Sequence, residues 1–82
     1  MGGTAFITGA GRGIGRAVAR RLAAEGYAVG INYARSQEEA EALAEEIRSQ
    51  GGKALAVQGD VADRTAITAA IRQAEEAFGP IT

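Results

Sequence analysis

Apolar residues along this chain follow two alternating rhythms. Short unbroken runs stand at Thr4-Ala5-Phe6-Ile7-Thr8, Tyr27-Ala28-Val29-Gly30-Ile31-Asn32 and Ala54-Leu55-Ala56-Val57. These predict three strands, and the first is apolar enough to be covered on both faces, as strands of a parallel sheet are. Between the runs the period lengthens to that of a helix. Ile14, Val18 and Leu22 recur every four residues with Ala17 beside them, predicting a helix from about Gly13 to Glu25 that Gly26 stops. Ser36, with Glu39 three residues on, reads as a capping box. Ala40, Leu43, Ala44 and Ile47 then mark one face of a second helix, which Gly51-Gly52 ends. Asp63 is placed to cap a third helix with the stripe Ile67, Ala70, Ile71, Ala74 and Phe78. Gly79-Pro80 stops it, and Ile81-Thr82 reads as the first step of a fourth strand.

The helix-ending glycines Gly26, Gly52 and Gly79 are 26 and 27 residues apart, one strand plus one helix per period. Right-handed crossovers put strand two beside strand one and strand three beyond it, giving the order 3-2-1. Strand four would then lie on the far side of strand one, and helix three would cover the opposite face from helices one and two. The expected fold is α/β, the N-terminal part of a doubly wound parallel sheet (β-α-β-α-β-α) cut before strand four. Residues 1–82 are thus expected to be a portion of one dinucleotide-binding domain, with the remainder outside this stretch.

Composition narrows the chemistry. The chain has 82 residues, a net charge of −1, no cysteine and no histidine. Disulfides and thiol catalysis are excluded, and a zinc site has too few ligand types to draw on. The one group of basic residues, Arg16, Arg20 and Arg21, is expected to be a solvated helix face and not a nucleic-acid surface. No apolar run reaches membrane-spanning length. Met1-Gly2 lacks the Ser or Thr that a myristoylation signal needs at position 6, where Phe6 stands. A cytoplasmic protein without nucleic-acid or membrane partners is the expectation.

The chemistry-bearing stretch is Thr8-Gly9-Ala10-Gly11-Arg12-Gly13-Ile14-Gly15, where the first strand gives way to the first helix. A glycine-rich turn opening a helix presents backbone N–H groups and a positive dipole end to an anion. Gly9 suits the turn, Gly13 a close backbone approach to a pyrophosphate, and Gly15 close packing of helix on strand. The spacing is neither G-x-G-x-x-G nor a P-loop, since no Gly-Lys-Ser/Thr follows. It matches T-G-x-x-x-G-x-G at Thr8, Gly9, Gly13 and Gly15. In this the chain resembles the short-chain dehydrogenase/reductase family, and T-G-A-x-R-G-I-G resembles its NADP-dependent 3-oxoacyl-acyl-carrier-protein reductase group. The resemblance implies a Rossmann sheet and hydride transfer between a nicotinamide cofactor and a carbonyl or alcohol, 3-oxoacyl thioesters being one candidate. It also implies a dimeric or tetrameric parent.

Cofactor choice can be read at the end of strand two. NAD sites place an acid there for the ribose 2′-hydroxyl. This chain instead reads Asn32-Tyr33-Ala34-Arg35-Ser36, and Arg12 stands in the glycine turn. Two guanidinium groups suit a 2′-phosphate. NADP(H) is therefore expected over NAD, and the family's NADP-preferring members share the Arg12 and Asn32-Tyr33-Ala34 features. After strand three, Asp60-Val61 is either a plain turn or, as the resemblance implies, the pair that meets adenine. Thr8, Gly9, Gly11, Arg12, Gly13, Ile14, Gly15, Asn32, Tyr33, Arg35, Asp60 and Val61 are the expected cofactor-binding residues.

The family's catalytic Tyr-x-x-x-Lys pair has no counterpart here. Ile31 follows Tyr27 by four and Gln37 follows Tyr33 by four. No catalytic residue is assigned, and the 82 residues alone are expected to be inactive. Tyr27 is expected within strand two, and Tyr33 at the rim of the adenosine site. Two alternatives stay open: a non-catalytic dinucleotide sensor or scaffold, and an S-adenosylmethionine-dependent methyltransferase. The second lacks the acids its site wants, with Ile7 and Asn32 in their places.

Overall fold

The computed structural model describes residues 2–9 and 13–81. Six elements alternate: β1 (Thr4–Thr8), α1 (Gly13–Ala24), β2 (Ala28–Tyr33), α2 (Gln37–Ser49), β3 (Lys53–Gln58) and α3 (Arg64–Phe78). The strands are parallel in the order β1-β2-β3. Thr8 pairs with Asn32 and Asn32 with Val57, so the three strands reach their C-terminal ends together. Ile81 makes an isolated parallel bridge to Thr4. The chain leaving α3 thus returns beside β1, on the side expected of a fourth strand.

Alternation along β2 sorts the two faces. Val29, Ile31 and Tyr33 pack with Ala40, Leu43, Ala44 and Ile47 of α2 and Ala19 of α1, and this is the main core. On the other face Ala74 of α3 lies against Gly30, where an added Cβ would come within 3.0 Å of it. Ala70 and Ala74 are the buried residues of α3. The Thr4 hydroxyl donates to the Phe78 carbonyl at 3.2 Å, tying the start of β1 to the end of α3.

Several boundaries differ from expectation for local reasons. Tyr27 lies outside β2 because its N–H closes α1, donating to the Leu22 carbonyl at 3.0 Å while Gly26 donates to Ala23 at 3.1 Å. This is a Schellman closure, with Gly26 at φ 98 in the left-handed position. β2 instead runs one residue further, through Tyr33. At the start of α2 the Ser36 hydroxyl makes no cap hydrogen bond, because Ser36 sits at φ −90, ψ 56 and not in the extended form of a capping residue. Its half of the expected capping box is not formed. Asp63 does cap α3, its Oδ1 accepting from the Ala66 N–H at 3.2 Å.

The largest difference lies on α1. Ile14 is 83% exposed and Val18 42% exposed, although both belong to the predicted apolar stripe. Ala19 is the buried residue of this helix, with Leu22 and Ala23 partly buried behind it. The helix is rotated so that Arg16 and Arg20 face α2. At 100° per residue, Ile14 and Val18 then stand roughly on the opposite flank, over the side of β1 away from β2.

Candidate functional site

At the C-terminal end of the sheet a cleft of about 440 Å³ is lined by Thr8, Gly9, Asn32, Tyr33, Ala34, Arg35, Ser36, Gly59 and Val61. Three separate stretches meet there: the turn after β1, the turn after β2 and the exit from β3. Six of the expected residues therefore share one concavity. A larger hollow of about 600 Å³ lies at the opposite end of the sheet, among Gly26, Gly51, Gly52 and their neighbours. It holds none of the expected residues.

The glycine turn is built for close backbone approach. Gly9 and Gly13 have φ of 63 and 66, in the region that L side chains disfavour. Among the described residues nothing lies within 4 Å of where a Cβ would stand on either. Gly13 is the first residue of α1, so the N-terminal N–H groups of that helix belong to this end of the sheet. Ile14 and Gly15 follow in the first turn of α1 and do not line the cleft. Gly11 and Arg12 lie outside the described residues.

After β2, Tyr33 is buried in the main core and also forms part of the cleft wall, so it is more enclosed than the rim position expected. Arg35 is exposed and has no ion-pair partner among the described residues. The end of β2 presents no carboxylate to the cleft. Ala34 and Ser36 also line it; their place between the expected Tyr33 and the start of α2 was the available signal.

After β3, Val61 is 61% exposed at the cleft, an apolar surface without a cover. Asp60 is exposed, and its Oδ1 accepts the Ala62 N–H at 2.9 Å while its carbonyl accepts the Asp63 N–H at 2.8 Å. The turn role is therefore real. A carboxylate has a second oxygen, so this turn does not conflict with contact to a ligand. Gly59 is buried, and its N–H donates to the Tyr33 carbonyl at 2.9 Å.

Away from the cleft, the arginines of α1 are not merely solvated. Arg20 meets Glu46 of α2 in a two-point pair, with Nε to Oε2 at 2.7 Å and Nη2 to Oε1 at 2.9 Å. Arg16 approaches the same carboxylate at 3.6 Å, and Arg21 pairs with Glu25 one turn on. The hydrogen bond from Arg20 lowers the Glu46 pKa and raises that of Arg20. Among the described residues no group of three or more His, Cys, Asp or Glu could hold a metal ion. No helix among them is long and apolar enough to cross a membrane.

Known proteins place this arrangement. The pattern of the short chain dehydrogenase family matches residues 3–82. A 3-oxoacyl-[acyl-carrier-protein] reductase of Staphylococcus aureus is 47% identical over 78 residues, 95% of this chain and 32% of that protein. A versicolorin reductase of Emericella nidulans is 49% identical, again over 95% of this chain but 30% of its own length. Among solved structures, a blue fluorescent protein from a metagenomic library in complex with NADPH superposes with a TM-score of 0.91 at 40% identity. That match covers 96% of this chain and 33% of the other. The chain thus spans about a third of the length of these relatives.

Proposed function

From the premise that the chain belongs to the short chain dehydrogenase family, we propose that it forms the NADP(H)-binding part of a longer oxidoreductase. That protein would move a hydride between the nicotinamide and a carbonyl or alcohol. One observation carries the reading: Thr8-Gly9 at the start of the glycine turn, the acid-free end of β2, and Gly59 and Val61 at the exit from β3 all line a single cleft. Its volume of about 440 Å³ falls in the usual range of small-molecule sites and suits the adenosine end of a dinucleotide. The NADPH complex among the structural neighbours supports the same cofactor.

The residues fit the group. The backbone of Thr8, Gly9 and Gly13, with the N-terminal turn of α1 through Ile14 and Gly15, is suited to the pyrophosphate; Gly11 belongs to the same turn by sequence. Arg35, joined by Arg12, offers charge to a 2′-phosphate. Val61 offers an apolar surface and Asp60 an acceptor to adenine. When bound, the cofactor supplies the hydride. The group that protonates the substrate oxygen in reduction, or takes its proton in oxidation, would lie outside this stretch, as would the substrate pocket. Two reductases with differently named substrates share close to half of these residues, so this part of the sequence leaves the substrate open. The family match favours hydride chemistry over the methyltransferase alternative.

Arg35→Asp in the longer protein tests the reading. It removes a partner for the phosphate and adds an acceptor for the ribose hydroxyl that NAD carries. The wild type is expected to prefer NADPH over NADH by at least ~10-fold in kcat/KM, equivalent to about 1.4 kcal/mol, and the substitution to erase or invert that preference. Equal changes with both cofactors would make Arg35 an ordinary surface residue and sink the NADP assignment.

A further inference from the structure

Asn32 is the one buried amide side chain at this end of the sheet, and its hydrogen bonds explain how the adenine side of the cleft is held. It is 2% exposed, so it offers almost no surface to a ligand. Its Nδ2 donates to the Gly59 carbonyl at 3.0 Å and to the Val57 carbonyl at 3.3 Å. An amide nitrogen has two protons, and both are directed at main-chain oxygens of the strand next door. The Gly59 N–H returns to the Tyr33 carbonyl at 2.9 Å. The β2–β3 ladder is thereby carried one residue past Gln58, where β3 ends.

Gly59 is confined from the other side as well. A Cβ on it would stand 3.0 Å from the Ala66 carbonyl oxygen and 3.2 Å from the Ala70 Cβ, so α3 presses directly on this residue. Asp60 and Val61 leave the sheet from that clamp, and Asp60 then folds its own turn onto Ala62. Val61 lines the cleft and Asp60 stands exposed beside it, so the path of both residues past the cleft is set one residue earlier, at Gly59. Of the groups that hold Gly59, Asn32 is the one that hydrogen-bonds it through a side chain; the Ala70 methyl meets it by packing alone.

We propose that Asn32 is a positioning residue for the cofactor: it fixes the Gly59-Asp60-Val61 exit through two backbone carbonyls and so sets the adenine end of the site without serving as its ligand. This rests on the NADP(H) reading above. An aspartate here would set a carboxylate against two carbonyl oxygens, and a leucine would leave both carbonyls without donors. Either frees the exit while leaving the glycine turn and Arg35 in place.

The test uses the longer protein and two halves of the cofactor, 2′,5′-ADP and reduced nicotinamide mononucleotide, each titrated by calorimetry. Asn32→Leu is expected to weaken 2′,5′-ADP at least 10-fold and to move the mononucleotide less than 2-fold. Asn32→Ser, which keeps one donor and is the milder change if the leucine variant does not fold, is expected to fall between it and wild type. Adding Asp60→Ala to the Asn32 variant should cost less than Asp60→Ala costs alone, because the carboxylate is already misplaced. Equal weakening of both halves, or unchanged 2′,5′-ADP binding in a folded variant, would reduce Asn32 to a fold residue and overturn the proposal. Failure of the wild type to bind 2′,5′-ADP would overturn the cofactor reading itself, and this inference with it.

Discussion

The inner face of α2 and the outer flank of α1 carry apolar residues at similar helical spacing, yet only one of them is buried. Ala40, Leu43, Ala44 and Ile47 all sit in the core between α2 and the sheet. Ile14 and Val18 project into solvent. α2 crosses from β2 to β3 with paired strands beneath it, whereas the outer flank of α1 lies toward the side of β1 where the described residues form an isolated bridge to Ile81 and no paired strand. Helical periodicity reports that a face is apolar. What covers the face depends on strand order, which periodicity does not contain.

Substitutions on the two helices should separate sharply. Leu43 is fully buried, so Leu43→Ala is expected to destabilise this chain by about 2–5 kcal/mol, the range for emptying a core leucine site. That is a large share of the stability of any domain this size. Ile14→Ala, on the exposed flank, should stay within about 0.5 kcal/mol. Urea unfolding of the two variants checks both numbers. Similar losses at Leu43 and Ile14 would mean that the outer flank is covered in solution.

A smaller but visible effect is expected in association. An open edge of β1 beside exposed Ile14 and Val18 offers backbone donors and apolar surface to another chain. The 82 residues alone should therefore self-associate as concentration rises, as sedimentation velocity would record. Val18→Glu should shift the distribution toward monomer with little change in the unfolding midpoint. A wild-type chain that stays monomeric at all concentrations would show that the edge is already protected.

Much of this is legible in the sequence. The strand order and the return of the chain beside β1 follow from short parallel crossovers, and Asp63 caps α3 as its position before an apolar stripe suggests. The meeting of Thr8-Gly9, Arg35 and Val61 on one cleft was foreseeable because strand C-terminal ends converge where strand order reverses. Other features were hidden for identifiable reasons. Ser36 and Glu39 have the spacing of a capping box, but spacing does not set the backbone angles that aim a hydroxyl. Asn32 stood out by lying where an acid was absent, and nothing in its neighbours revealed that its amide reaches across to Gly59, 27 residues on. The pairing of Arg20 with Glu46 was equally invisible, since it spans two helices that the pattern treats separately.

That pair gives the mildest prediction and bears on the inner flank of α1. Glu46 holds α1 to α2 on the side away from Ile14 and Val18, through Arg20 at 2.7 and 2.9 Å with Arg16 nearby. The hydrogen bond from Arg20 keeps the Glu46 carboxyl below its ordinary value of 4.5. A carboxylate with a lowered native pKa binds fewer protons folded than unfolded, so its contribution is fully present above the ordinary value. It fades as pH falls through the lower native value. The raised pKa of Arg20 has the opposite sense, and its contribution would fade only at extreme alkaline pH. Arg20 is exposed and Glu46 partly so, which keeps the effect small and screened by salt. Urea midpoints measured from about pH 6 down to about pH 3 should fall more for wild type than for Glu46→Gln, with the gap between them closing at the acid end. Added salt should narrow that gap at neutral pH. Parallel pH curves for the two proteins would mean that the contact holds α1 against α2 no better than water does, leaving Ala19 and Leu22 alone to fix the rotation of the helix.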